Sequence, residues 1–305
     1  MAKKNDLTNI VDKLCEAKSY KEVFHRSTHD VPMPSINELH KIIDHLRMII
    51  FPGYFGADDL KPDTMKYYTG AALDELSRLL AEQIKRGFCF SCAEGDDANC
   101  VLCEKKADEI TLSLLNALPK IRSFLCSDIR AAYVGDPAAK STGETIFCYP
   151  SIKALTNYRV AHELYKLEVP LIPRILTEIA HSETGIDIHP GATIDECFFM
   201  DHGTGIVIGE TTIIGKNVRV YQGVTLGAKS FPLDENGRLI KGIARHPIIE
   251  DDVIIYSGAT LLGRIKIGKG AVIGGNVWLI HDVEAGNKIL QSAAEEMHFV
   301  EGAGI

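Results

Sequence analysis

Two patterns in this chain are built from residue types that do chemistry. Cys89-x-x-Cys92 followed by Cys100-x-x-Cys103 forms paired knuckles of the kind that hold a metal tetrahedrally. The gap between the pairs is short, and Glu94, Asp96 and Asp97 make it acidic. A structural zinc is the expected occupant, and an iron–sulfur cluster or free thiols stay open as alternatives. The second pattern is His202, in Asp201-His202-Gly203. An imidazole titrates near neutrality, and as a general base it is worth on the order of 10²–10⁴ in rate. Taken alone, His202 reads more readily as a corner histidine bonded to backbone than as a catalytic base. Asp136, in Gly135-Asp136-Pro137-Ala138, reads by itself as a turn residue at a helix end. Nothing in the spacing puts the cysteines near His202.

The elements that must carry these residues differ between the two halves. From the start to about residue 180 the apolar period is helical. Met65, Tyr68, Ala72, Leu76, Leu79, Leu80 and Ile84 predict a helix from Thr64 to about Arg86, and Ala107, Ile110, Leu114 and Leu118 predict another over Glu104–Leu118. Weaker helical patterns cover Asn5–Ala17, Ser35–Ile50, Ser151–Leu167 and Val169–His181. From Ile186 the period becomes six. Ile249, Ile255, Leu261, Ile267, Ile273 and Leu279 follow one another at intervals of six, with Val253, Ala259, Ile265, Ala271 and Val277 in a companion slot. Ile208, Ile214, Val220 and Leu226 form a second run, and Ile188, Ile194 and Met200 a third. A hexapeptide repeat is the signature of a parallel β-helix. With three faces per coil, residues 18 apart should stack, Ile249 over Ile267 and Ile255 over Ile273.

The phase breaks twice. Two extra residues separate Met200 from Ile208, just after Asp201-His202. A larger break between Leu226 and Ile249 holds Pro232 and Asn236-Gly237, the latter a tight-turn pair. The stretch from Ala228 to Arg245 is therefore expected as an arm thrown out of the coil, and such excursions are usually functional.

The segments Asp187-Ile188-His189-Pro190, Asp201-His202-Gly203-Thr204-Gly205 through Glu210-Thr211, and Arg245-His246-Pro247 resemble the serine O-acetyltransferase family. The similarity runs from roughly Asp128 to Val277. It implies an α+β architecture: an all-helical N-terminal domain over 1–183, a left-handed parallel β-helix of hexapeptide repeats over 184–290, and a tail over 291–305. It implies transfer of an acetyl group from acetyl-CoA to the hydroxyl of L-serine, with His202 as base and Asp187 as the carboxylate that orients it. Asp136 and Asp201 match the acidic residues facing the serine ammonium, and Arg245 and His246 match those holding its carboxylate, which a guanidinium fork suits geometrically. Backbone at Gly227-Ala228 and around Ser257 and Ala259 matches the acetyl-CoA positions. The family commonly has Gly-Gly where this chain has Gly227-Ala228, and a shorter glycine-rich loop in place of 229–244.

The resemblance also implies a homotrimer or a dimer of trimers, and feedback inhibition by cysteine through the serine site. The ending Gly302-Ala303-Gly304-Ile305 is similar to tails that insert a terminal isoleucine into O-acetylserine sulfhydrylase, and a frayed terminus is the alternative. Composition bounds the rest. There are 33 Lys and Arg against 41 Asp and Glu, a net charge of -8, which argues against a general nucleic-acid binder. Eight cysteines, no export-signal pattern and no membrane-length apolar run lead to the expectation of a cytoplasmic protein. Three other readings are weighed: a hexapeptide acetyltransferase for a sugar or xenobiotic, a β-helical carbonic anhydrase using His189, His202 and His246, and a silent scaffold for the sulfhydrylase.

Overall fold

The computed structural model describes residues 2–25, 31–57, 59–91 and 99–292. Helices come first: α1 (Ala2–Leu14), α2 (Ala17–Tyr20), α3 (Ile36–Ile50), α4 (Met65–Ser91), α5 (Asn99–Gly135), α6 (Thr142–Cys148), α7 (Pro150–Lys166) and α8 (Ile172–Thr184). Local chemistry explains several boundaries. The Ser35 side chain accepts from the Glu38 N–H and caps α3, and Ser141 does the same for α6 through Glu144. Pro150 begins α7, where its missing N–H costs nothing.

The expected helix over Glu104–Leu118 is the first half of a much longer one. α5 runs straight through Pro119, although proline removes one hydrogen bond and crowds the preceding turn. Tertiary burial outweighs that penalty. Ala107, Ile110, Leu114, Leu118, Ile121, Leu125, Ile129 and Ala132 are all buried along one unbroken stripe. The extension matters because it carries Asp128 and ends at Gly135, just before Asp136. No helix among the described residues is long and apolar enough to cross a membrane.

After α8 the chain winds into a left-handed parallel β-helix with three faces. The first face stacks β1 (Asp187–Ile188), β4 (Val207–Ile208), β7 (Thr225–Gly227), β10 (Thr260–Leu262) and β13 (Trp278–Leu279). The second holds β2 (Thr193–Ile194), β5 (Ile213–Ile214), β8 (Ile248–Ile249) and β11 (Lys266–Ile267), and the third β3 (Phe199–Asp201), β6 (Arg219–Tyr221), β9 (Ile254–Ile255), β12 (Val272–Ile273) and β14 (Lys288–Ile289). Ile249 pairs with Ile267 and Ile255 with Ile273, as the period of six requires. The apolar slot and its companion both point inward: Ile255, Leu261, Ile267, Val253, Ala259 and Ala271 have no exposed surface.

The two phase breaks have structural forms. Asp187 pairs with Val207 rather than with a residue 18 further on, so the first coil is longer, and the surplus sits in the corner that holds His202. Leu226 pairs with Leu261, so the coil closes normally around the 228–245 excursion. Within that arm Leu233 and Leu239 form an antiparallel bridge, and Asp234 N–H donates to Arg238 O across the Asn236-Gly237 turn.

A buried ion pair between α5 and α7 ties these helices to the first coil of the β-helical prism through its further hydrogen bonds. Arg159 on α7 donates Nε to Asp128 Oδ2 at 2.7 Å and Nη2 to Asp128 Oδ1 at 2.9 Å. Its remaining N–H groups reach Ile194 O and Asp195 O of the first coil, and Asp128 Oδ1 accepts the Phe198 N–H. The guanidinium also lies over the Phe124 ring. Both partners are buried, at 6% and 0% side-chain exposure. Removing one partner alone leaves a charge stranded out of water. Asp128→Ala should therefore cost about 3–5 kcal/mol, read as a lowered urea midpoint, and a shift under 1 kcal/mol would show that this pair does not hold the two parts together.

Candidate active site

The corner between the third and first faces carries the strongest candidate. Its two surplus residues let His202 stand at φ 56° with Gly203 at φ +85°, a conformation uncommon for a residue with a side chain and concentrated at functional positions. Gly203 is needed there for a second reason: a Cβ on it would lie 2.5 Å from Ile186 Cδ1. The result is a His202 side chain standing 72% exposed beside a mostly buried Asp201, with Nε2 3.8 Å from Asp201 Oδ1.

Asp136 enters the same corner from the end of α5. Its backbone N–H closes the helix onto Ala132 O, while Oδ1 accepts the Ala138 N–H at 2.7 Å. Oδ2 accepts the phenol of Tyr149, at the junction of α6 and α7. These bonds, the Tyr149 bond foremost, hold the Asp136 carboxyl below the usual range, and the field of His202 adds to the effect. Burial, then the bond to Asp136, pushes the Tyr149 phenol up, so it stays a donor. Sequence reasoning missed Tyr149. Its partner is 13 residues away across a whole helix, and no local pattern marks it.

Asp187 begins the first face one residue after Ile186, and its N–H donates to Ile206 O. Its carboxylate clusters with those of Glu178 and the imidazole of His181, whose ligand-bearing atoms lie within 4.8 Å of one another. No hydrogen bond or ion pair among the described residues joins Asp187 to His202; the carboxylate expected to orient the base sits at its corner without touching it.

Arg245 and His246 lie at the other end of the first face, at its corner with the second. Arg245 Nη2 donates to Glu210 Oε2 at 2.7 Å, and Tyr165 OH donates to Glu210 Oε1 at 3.1 Å. Burial alone would raise Glu210, but the bonds from Arg245 and Tyr165 outweigh it and keep the carboxyl low. The Thr211 hydroxyl accepts the N–H groups of both Arg245 and His246. His246 Nδ1 accepts from the Thr211 N–H at 3.0 Å, which leaves Nε2 as the protonated nitrogen of a neutral ring. Burial, then the charge of Arg245, lowers its pKa to about 4. Sequence reasoning assigned Glu210 and Thr211 no role beyond closing a motif and did not mark Tyr165, because the arm places Arg245 35 residues from Glu210 rather than one coil away.

The remaining candidates divide between the two corners. Gly227 ends β7 and Ala228 starts the arm on the Arg245 side. Ser257 and Ala259 lie on the His202 side, where Gly258 N–H donates to Gln222 O and Gly223 N–H to Thr204 O down the corner. Ala259 spends both backbone groups inside the coil, its N–H on Tyr256 O and its carbonyl on Thr225 N–H. The first face, from Gly205 to Gly209 at about 3.3 Å per residue, holds the two corners roughly 13 Å apart. Within one chain His189, His202 and His246 therefore do not converge as a metal-binding triad, and His189 Nδ1 is occupied by the Gly191 N–H. Among the cysteines, Cys89 on α4 and Cys103 on α5 are buried; Cys92 and the Cys100 side chain lie outside the described residues. A cavity of about 950 Å³ opens between α5, α7 and the second face, lined by Arg159, His162 and Lys166 among others, and contains none of the candidate catalytic groups.

Comparison with known proteins agrees with this layout. Residues 246–281 match the bacterial transferase hexapeptide (six repeats) family model. A plasmid-encoded serine acetyltransferase of Synechococcus elongatus is 51% identical over 302 residues, 98% of this chain and 95% of that one. The crystal structure of serine acetyltransferase isoform 3 from Entamoeba histolytica in complex with cysteine superposes with a TM-score of 0.71 at 33% identity, over 93% of this chain and 92% of that one. The soybean serine acetyltransferase complexed with serine follows at a TM-score of 0.54 and 28% identity, over 85% and 98%. With identity of this order running almost end to end, and the repeat, the His202 corner and the Arg245 corner all in place, the chain belongs to the serine acetyltransferase family.

Proposed function

We infer that the protein transfers the acetyl group of acetyl-CoA to the hydroxyl of L-serine, giving O-acetylserine and CoA, the entry step to cysteine. The observation that carries this reading is the widened corner, which presents an exposed imidazole between carboxylates from two separate elements. His202 takes the proton of the serine hydroxyl as that oxygen attacks the thioester carbonyl. The tetrahedral intermediate collapses by breaking the C–S bond, and the imidazolium returns its proton to the departing sulfur. Asp136 and Asp201 face the serine ammonium, with Tyr149 holding Asp136 in orientation. Asp187 contributes negative charge at the same corner, which favours the imidazolium in the transition state.

The serine carboxylate falls to Arg245 and to the Nε2–H of His246. Since one chain keeps these a full face away from His202, the complete site forms between two copies, the His202 corner of one against the Arg245 corner of the next. A closed ring of three satisfies that head-to-tail contact, and the acetyl-CoA positions, Gly227-Ala228 on one side and Ser257 to Ala259 on the other, then line a shared groove. Within each copy the helical unit 1–183 supplies Asp136, the unit 184–290 the acyl-transfer corners, and the tail 291–305 a docking segment. Cysteine, isosteric with serine, competes for the same groups. The C-terminal Ile305 engages O-acetylserine sulfhydrylase, and loss of Ile305 should abolish that binding. A structural zinc on Cys89, Cys92, Cys100 and Cys103 is a separate proposal, supported by the buried Cys89 and Cys103 on adjacent helices; elemental analysis finding no zinc removes it.

Followed as CoA release with a thiol reagent, His202→Ala should lower kcat by about 10²-fold or more, and Arg245→Ala should raise the KM for serine. The shared site makes a sharper demand. Co-assembled His202→Ala and Arg245→Ala chains should regain about a quarter of wild-type activity, the share of intact sites from random mixing; no recovery would place the whole site within one chain. His246 also has a pH signature. Its folded pKa of about 4 lies below the ordinary 6.5, so between these values the unfolded chain binds more protons. Its contribution to stability is therefore present above about pH 6.5 and lost as pH falls toward 4. Melting temperature should drop across that window, and His246→Asn should flatten the drop.

A further inference from the structure

Arg245 is the residue of the shared site most in need of outside support. It follows the long excursion of the chain, and its side chain is rotamer-rich, so holding its fork toward a substrate carboxylate costs conformational entropy. Glu210 offsets part of that cost through the bond from Arg245 Nη2 to Oε2 at 2.7 Å. The bond from Arg245 Nη1 to Ile243 O, at 3.3 Å, is longer. A carboxylate held through one oxygen alone can still turn about its last torsion, whose energy well is broad. The other oxygen, Oε1, is taken by the Tyr165 hydroxyl at 3.1 Å. With its two oxygens engaged from different elements Glu210 has one orientation, and Arg245 is held with it.

Tyr165 is itself firmly seated. It lies on the last turn of α7, less than two turns after Arg159, which locks that helix to the first coil. Its ring meets His189 edge-on, with centroids 5.8 Å apart and 83° between the planes. Gly191 leaves it room, since a Cβ there would stand 3.1 Å from Tyr165 Cζ and 3.1 Å from Glu210 O. Burial, then the bond to Glu210, pushes the phenol up, so it stays a donor. The Glu210 and Arg245 side chains are each 24% exposed, which strengthens bonds between charged groups relative to open water. Tyr165 is 38% exposed and adds little to the apolar core, so the core alone does not explain a tyrosine here.

We propose that Tyr165 is a positioning residue for the acceptor: by fixing Glu210 it fixes the Arg245 fork that receives the serine carboxylate. The assignment rests on the acetyl-transfer reading and extends it by naming what sets the affinity for the acceptor. The phenol also takes a share of the Glu210 charge, which leaves the guanidinium freer to attract a second carboxylate. Since Arg245 serves the His202 of the neighbouring copy, a tyrosine on the helical unit of one chain tunes serine binding in the next. The chemistry stays at His202.

The test compares two acceptors, L-serine and L-serinamide, which keeps the hydroxyl and the ammonium but has no carboxylate. Tyr165→Phe removes the phenol hydroxyl and keeps the ring on His189. It should raise the KM for serine about fivefold, the order of one net hydrogen bond, with kcat and the KM for acetyl-CoA at wild-type values. Turnover of serinamide, slow in both proteins, should be equal in the two. In an Arg245→Ala background the same change should bring no further loss of kcat/KM for serine, because the two residues act as one unit. An unchanged KM for serine, an equal loss with serinamide, or a full additional loss in the Arg245→Ala background would overturn the assignment while leaving the acetyl-transfer reading intact. Wild-type protein inert with acetyl-CoA and serine would overturn both.

Discussion

The Arg159–Asp128 fork is the constraint on which the geometry of this protein turns. A bidentate pair buried this deeply gains little net stability over apolar residues of the same shape. What it fixes is position. Asp128 lies two helical turns before the end of α5, where the chain releases Asp136, and Arg159 simultaneously holds the carbonyls of Ile194 and Asp195 in the first coil. That same coil ends at Asp201 and His202. The distance between the carboxylate from the helices and the imidazole on the prism is thus set by a clamp buried behind both, through a rigid helix on one side and one turn of β-helix on the other.

The two corners of the first face divide the labour by environment. The His202 corner is open and acidic, with a ring exposed to solvent and three carboxylates around or near it. The Arg245 corner is half-buried and saturated: Thr211 serves two backbone N–H groups, and Glu210 accepts from Arg245 and Tyr165. An exposed imidazole is open to an incoming hydroxyl, and a buried neutral one presents a fixed donor. The same residue type is adapted to opposite tasks by its surroundings alone.

The β-helix was legible in the sequence because its physics is local and periodic. Each coil needs an inward apolar residue at fixed intervals, so Ile249 to Leu279 announce the faces, and the slips in phase announce the His202 corner and the arm. The Asn236-Gly237 turn follows from backbone preference in the same way. What could not be read depends on distant partners. Pro119 looks like a helix end until the buried stripe beyond it is placed against α7. Tyr149 has no signature apart from Asp136, and Glu210 meets Arg245 only after the arm has been subtracted from the register. The resemblance to known acetyltransferases supplied roles for Asp136 and Arg245 that spacing alone did not, and it paired Asp187 with His202 more directly than the geometry does.

The arm has a consequence for how the chain reaches its native state. Leu226 meets Leu261 across 35 residues, whereas Ile249 and Ile267 meet across 18. Near-doubling a flexible loop adds only about 0.6 kcal/mol of closure entropy, so the arm barely weakens the finished prism. It does change the order in which coils are easiest to form. The rungs after Ile249 close across 16 to 18 residues and Ile208 meets Leu226 across 18 on the other side of the arm, so each flank rests on near contacts that favour early formation. The pairings that bridge the arm, such as Leu226 with Leu261, are the slow ones, and they form once the two flanks have been drawn together.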